Sequence, residues 1–222
     1  TRDDNQEFVN ALTTNLTRFF REDHHFEHLC KVVGHMIEAG KPISRGGRRL
    51  RIWSAGCSTG QEPYTIAMAL MGAHSALKSW DFKILATDVD TDVVARAAAG
   101  FYSEAELAGL SPERLQTFEA QANGRVRIPE TLRALVTFKP LNLMHAWPVK
   151  GPFDAIFCRN VTIYFDKPTQ RNVFERFQQV LRPGGHLYIG HSENIGAGVN
   201  GFRSVGKTIY CNESSINKRA VA

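Results

Sequence analysis

A chain of 222 residues with 43% apolar content can bury a full core, and the expected organisation is one α/β domain with a small insertion. The apolar runs fall far short of a membrane span, the Thr1-Arg2-Asp3-Asp4 start is no signal peptide, and Cys30, Cys57, Cys158 and Cys211 lack Cys-x-x-Cys spacing. A cytoplasmic protein with no membrane insertion, no disulfide framework and no zinc site follows as the expectation. The net charge of +5 is uneven, because Lys41, Arg45, Arg48, Arg49 and Arg51 crowd a segment without acids. Such a segment is ordinarily a solvated loop, and it would also attract an acidic partner surface.

In chain order, residues Asp4 to about Glu38 show helical periodicity, interrupted at 13–21 by hydroxyls, an amide and two arginines that suit a turn or helix start. His24, His25 and His28 lack the His-Glu-x-x-His pattern of a metal site, so helix packing or surface exposure is expected of them. Leu50–Ala55 then reads as a buried strand running into Gly56-Cys57-Ser58-Thr59-Gly60 and a helix that begins near Pro63. A glycine turn between strand and helix leaves main-chain N–H groups bare and lets a ligand approach the backbone closely. The same five residues satisfy Gly-x-Ser-x-Gly, which would make Ser58 a hydrolase nucleophile with His191 as its base. Helix and basic loop precede this strand instead of further strands, and no oxyanion segment is present, so the nucleotide-type site is the favoured reading. No Gly-Lys-Ser/Thr follows, which excludes a P-loop.

Phe82–Thr87 reads as a second strand ending in Asp88, where this architecture places a carboxylate that accepts the two hydroxyls of a ribose. Asp90 and Thr91 are the candidates for capping the helix at Thr91–Ala99. Residues 100–134 break the alternation of strand and helix and read as an insertion with helix starts at Ser103 and Ser111 and a strand at Arg125–Ile128. Leu135–Phe138 returns to the sheet, and Phe153–Cys158 is a buried strand with Arg159 and Asn160 at its carboxyl end, where open α/β sheets bind ligands. A helix at Thr169–Leu181, a Pro183-Gly184-Gly185 stop, a strand at His186–Gly190 and a hairpin of Phe202–Val205 with Thr208–Cys211 complete the order.

These pieces resemble the CheR family of chemotaxis receptor methyltransferases. The matching blocks are TNLTRFFR at 14–21, SAGCSTGQEPYTIAM at 54–68, ATDVD at 86–90, Asn142-Leu143, CRNVTIYF at 158–165 and LRPGGHLYIGHSE at 181–193. The resemblance implies a class I S-adenosylmethionine-dependent methyltransferase fold: a Rossmann-like, mostly parallel sheet with a C-terminal antiparallel hairpin and a small inserted antiparallel β-subdomain. It implies transfer of the methyl group of S-adenosylmethionine to glutamates on the cytoplasmic signalling helices of chemoreceptors, leaving S-adenosylhomocysteine, with no metal. By the matched blocks, Asn15, Thr17, Arg21, Glu62, Asp88, Asn142, Leu143, Arg159 and Asn160 contact the cofactor, and Arg21 and Tyr164 lie beside the reacting methyl. Residues 1–48 correspond to the end of the family's helical N-terminal domain and 49–222 to its methyltransferase domain. The 119–124 loop lacks the Gly-x-Gly of members that grip a receptor tail peptide, so tail binding is not expected, and Thr162 stands where many members carry an apolar residue.

The residue types suit that cofactor independently. Arg21 offers a forked guanidinium to a carboxylate, Glu62 a partner for an ammonium, and Asn142 and Asn160 amides for an adenine or an amino-acid end. A methyltransferase of the same fold acting on a small molecule or nucleic acid is the first rival; no nucleic-acid reading surface accompanies the basic segment, and no nucleic-acid partner is expected. A non-catalytic S-adenosylmethionine-sensing receptor adaptor is the second. A monomer is expected.

Overall fold

The computed structural model describes residues 17–39, 48–196 and 198–214. In chain order its principal elements are α1 (His24–Glu38), β1 (Arg49–Ala55), α2 (Gln61–Ala73), β2 (Asp81–Asp88), α3 (Thr91–Ala99), β3 (Phe101–Ser103), β4 (Glu119–Ala120) and β5 (Arg125–Arg127). They continue with β6 (Val136–Pro140), β7 (Phe153–Cys158), α4 (Lys167–Val180), β8 (Leu181–Ile189), β9 (Phe202–Gly206) and β10 (Ile209–Asn212). Two compact units share them, one running up to Leu50 and resuming over Cys57–Pro140, the other comprising Arg51–Gly56 and Leu141 onward. No helix among the described residues is long and apolar enough to cross a membrane.

In the first unit, β2 and β6 run parallel, from Ile84 opposite Val136 to Asp88 opposite Pro140. Asp90 caps α3 by accepting the N–H groups of Asp92 and Val93, as its position after the strand predicts, and Gly100 closes the helix at φ 69°. Helix α1 buries Phe26, Leu29 and Val33, spaced by three and four residues. His25 is buried with them, its Nδ1 3.5 Å from Glu22 Oε2. The insertion is a three-stranded antiparallel sheet in the order β3-β5-β4. Both helix starts read from the sequence are present, a Ser103/Glu106 capping box ahead of the turn Glu104–Leu107 and a Ser111 cap ahead of Pro112–Leu115.

In the second unit, β1 from Arg51 onward, β7 and β8 lie side by side and parallel, and β10 and β9 continue antiparallel as the hairpin. All six residues of β7 are buried, as a strand covered on both faces requires. Trp53 of β1 anchors an aromatic cluster with Trp147, Phe153 and Phe177, at ring-centre distances of 5.0, 5.4 and 5.3 Å. One boundary differs from expectation: Pro183-Gly184-Gly185 lies inside β8 and does not separate α4 from it. The pairing slips between Phe153 and Ala155, so the glycines form a bulge, and a Cβ at Gly185 would come within 3.0 Å of the Asp154 carbonyl. Arg182 spans that bulge with a 2.6 Å ion pair to Asp154, whose other oxygen accepts the Arg51 N–H.

Candidate active site

The glycine turn is held from both ends. Cys57 N–H donates to the Thr87 carbonyl at 2.9 Å, which ties the turn to the end of β2. One residue on, Ser58 sits at φ 47°, and its N–H donates to Asp88 Oδ2 at 2.8 Å. The Asp90 N–H donates to the other oxygen at 3.1 Å. Asp88 is therefore neither a solvated acid nor the helix cap; it is a buried carboxylate that fixes the turn's left-handed residue. Burial raises its pKa above the ordinary carboxylate value, and the amides of Ser58, Asp90 and Val89 pull it partly back. The neighbouring Cys57 thiol is pushed well up, first by burial and then by the negative charges of Asp88 and Glu62, so both acids bear on the same corner of the turn.

The far side of the turn is closed by aromatics. The Tyr102 hydroxyl donates to the Thr59 carbonyl at 2.7 Å, and Tyr64 donates to Ala97 O at 2.9 Å. A Cβ on Gly60, at φ 95°, would lie 2.8 Å from both the Ala97 Cβ and the Tyr102 hydroxyl. Only glycine fits there. The Ser58 Oγ is buried and has no hydrogen-bond partner among the described residues.

Arg21 belongs to a short turn docked on the same unit. Phe19 is buried edge-on against Tyr102 and Phe118, and Phe20, at φ 55°, donates its N–H to Thr65 Oγ1 at 3.2 Å. Arg114 stacks over the Phe20 ring at 3.7 Å while pairing with Asp23 at 2.6 Å. Arg21 and Thr17 are half-buried in this segment, and Asn15 lies outside the described residues.

In the second unit, Arg159, Asn160 and Tyr164 share the loop after β7. Arg159 is buried, Asn160 adopts φ 59°, and Tyr164 is 64% exposed. A residue that sequence reasoning passed over organises this loop. The buried Glu193 carboxylate accepts the N–H groups of Asn160 at 2.8 Å and Gly190 at 2.6 Å on Oε2, and those of Val161 at 3.2 Å and Thr162 at 2.8 Å on Oε1. The Thr162 hydroxyl donates to Oε1 as well, at 2.7 Å, which accounts for a polar residue at a buried position. Gln170 of α4 donates its amide to the carbonyls of Thr162 and Phe165 at 2.7 and 3.1 Å. The available signal was position: Glu193 follows a buried strand closely, as Asp88 ends one.

Asn142 and Leu143 sit on a different loop of that unit. Asn142 Oδ1 accepts the Met144 N–H at 2.9 Å, which leaves its Nδ2 hydrogens to donate elsewhere. The Leu143 carbonyl accepts from Trp147 Nε1 at 3.1 Å and Arg176 Nη1 at 2.9 Å, with the guanidinium stacked 3.8 Å over the Trp147 ring. The candidate residues thus form two sets: Thr17, Arg21, Glu62 and Asp88 in the first unit, and Asn142, Leu143, Arg159, Asn160 and Tyr164 on two loops of the second.

The family model described as CheR methyltransferase, SAM binding domain, matches residues 15–211. The chain belongs to this family. It is 48% identical over 210 residues to the probable chemotaxis protein methyltransferase of Rhizobium etli, covering 92% of this chain and 77% of that one. To the chemotaxis protein methyltransferases of Klebsiella aerogenes and Escherichia coli it is 45% and 44% identical, over 92% of this chain and 69% and 70% of theirs. As a CheR-family chain it is an S-adenosylmethionine-dependent methyltransferase, and the Gly-x-Ser-x-Gly motif is its glycine turn and not a nucleophile elbow.

Proposed function

We propose that this CheR-family chain methylates glutamate side chains on the cytoplasmic signalling helices of chemoreceptors, as a cytoplasmic monomer. The observation that carries the reading is the Asp88-held turn: a buried carboxylate with acceptor capacity to spare, beside main-chain amides and a buried Ser58 hydroxyl that has no partner among the described residues. That donor and acceptor set fits a nucleoside. In the same reading residues 49–222 are the methyltransferase domain, with the insertion at 100–134, and residues 1–48 are the end of a helical domain.

When bound, S-adenosylmethionine supplies an electrophilic methyl on a sulfonium sulfur. Asp88 accepts the ribose hydroxyls, Glu62 meets the ammonium and Arg21 the carboxylate. Asn15, Thr17, Asn142, Leu143, Arg159 and Asn160 supply the remaining polar and apolar contacts. The acceptor glutamate, with an ordinary pKa near ~4.3, is already ionised at neutral pH, so no general base is needed. The task left to the protein is alignment, which can remove up to ~7–11 kcal/mol from a barrier. The exposed Tyr164 orients the methyl or the incoming carboxylate.

Incubating the chain with methyl-labelled S-adenosylmethionine and receptor-bearing membranes tests this. Label released from receptor bands as methanol by mild base is the expected result. Label on nucleic acid or small molecules alone, or none at all with the protein folded, would overturn the proposal.

A further inference from the structure

The Glu193 carboxylate takes five donors, four from main chain and one from the Thr162 hydroxyl. A carboxylate offers about four lone-pair sites, so its acceptor capacity is spent. Glu193 is only 7% exposed and has nothing left to offer a substrate. Three of the four amides come from consecutive residues, Asn160, Val161 and Thr162, and the fourth from Gly190 at the end of the adjacent strand.

The same segment is confined on its other sides. A Cβ on Gly190 would lie 2.6 Å from Asn160 Nδ2 and 2.9 Å from its backbone nitrogen, and one on Gly56 would overlap the Val161 side chain. The next turn is built directly on it, with Tyr164 N–H donating to Val161 O at 3.3 Å and Phe165 N–H to Thr162 O at 3.0 Å. A shift at Asn160–Thr162 is therefore passed to the Tyr164 ring.

We propose that Glu193 is the positioning residue of the Arg159–Tyr164 loop, gathering its amides so that Asn160 and Tyr164 stand in reacting register. This rests on the reading of Asn160 and Tyr164 as groups on the reaction side. Binding of a cofactor is spread over many contacts, whereas in-line transfer is sensitive to displacements of about 1 Å, which can cost about a hundredfold. The loss on removing Glu193 therefore falls on turnover more than on affinity.

The test is Glu193→Gln in the full chain. The amide matches the carboxylate in shape, but whichever way it turns, its NH2 faces N–H groups that need an acceptor. Expected are a circular dichroism spectrum like wild type, S-adenosylhomocysteine affinity within about threefold and receptor-methylation turnover down at least about thirtyfold. Glu193→Asp keeps the acceptor and should retain more turnover than the Gln variant, the reverse of what a space-filling role gives. Turnover of the Gln variant within twofold of wild type, or equal losses of affinity and turnover, overturns the proposal. Should the Gln variant not fold, hydrogen exchange on the wild-type chain decides: slow amides at Asn160, Val161 and Thr162 support the assignment, and exchange at the rate of an open loop overturns it. A wild-type chain that transfers no methyl overturns the functional reading as well; an active wild type with an equally active Gln variant overturns only the role of Glu193.

Discussion

The glycine turn and the loop after β7 are built alike: a buried acid at or just past the end of a strand holds a short backbone segment by its amides. They differ in how fully the acid is used. Asp88 accepts the Ser58 amide on one oxygen and the Asp90 amide on the other, with the Val89 amide also drawing on it, and keeps a pKa raised by burial. Glu193 accepts five. A partly satisfied buried carboxylate gains from further donors, so Asp88 is equipped to bind; a saturated one has nothing to gain, so Glu193 is equipped to hold.

That contrast breaks first under truncation. Glu193→Ala leaves a cluster of amides and the Thr162 hydroxyl without their acceptor, and should lower unfolding free energy in urea by roughly 3 kcal/mol or more, because each buried unsatisfied group costs ~1–3 kcal/mol. Asp88→Asn should cost less stability and more binding, with S-adenosylhomocysteine affinity by calorimetry falling roughly 10- to 100-fold, as expected for losing one or two charged hydrogen bonds of ~1.5–3 kcal/mol.

A pH series sharpens the comparison. Because the native pKa of Asp88 lies above its unfolded value, near ~3.9, the unfolded chain gives up this proton first as pH rises. Its contribution to stability is thus present below about pH 4 and lost as pH rises through the raised native value. In ligand-free urea melts, wild type should lose ground to Asp88→Asn across that interval. Added S-adenosylhomocysteine should narrow the loss, since hydroxyl donors favour the ionised acid. A gap that does not change with pH would contradict the raised pKa.

Smaller still, Thr162→Val removes one of the donors to Glu193 and leaves the four amides, so a stability loss of ~1 kcal/mol with turnover near wild type is expected. A large loss of turnover would mean that the hydroxyl acts beyond the amide cluster.

Much of this was legible in residue order. The turn announced itself because glycines at 56 and 60 separate an apolar run from a helical pattern, and Asp88 because an acid ends the second run. Asp90 and Ser111 were readable as caps, since capping chemistry is local. The strands β3 and β4 were not, because two or three residues carry no alternation and exist only through β5. Pro183-Gly184-Gly185 reads as a stop by composition, yet it pairs as a bulge because β7 supplies the partner. Glu193 was hidden for the same reason: four of its five donors lie about thirty residues earlier and meet it only when β7 and β8 align.

The most direct test measures S-adenosylhomocysteine affinity by calorimetry on wild type, Asp88→Asn and Glu193→Gln side by side. The division between a binding acid and a holding acid predicts tight binding by wild type, at least about tenfold weaker binding by the Asn variant and binding within about threefold of wild type by the Gln variant. Unchanged binding by Asp88→Asn, or a loss confined to Glu193→Gln, would contradict it.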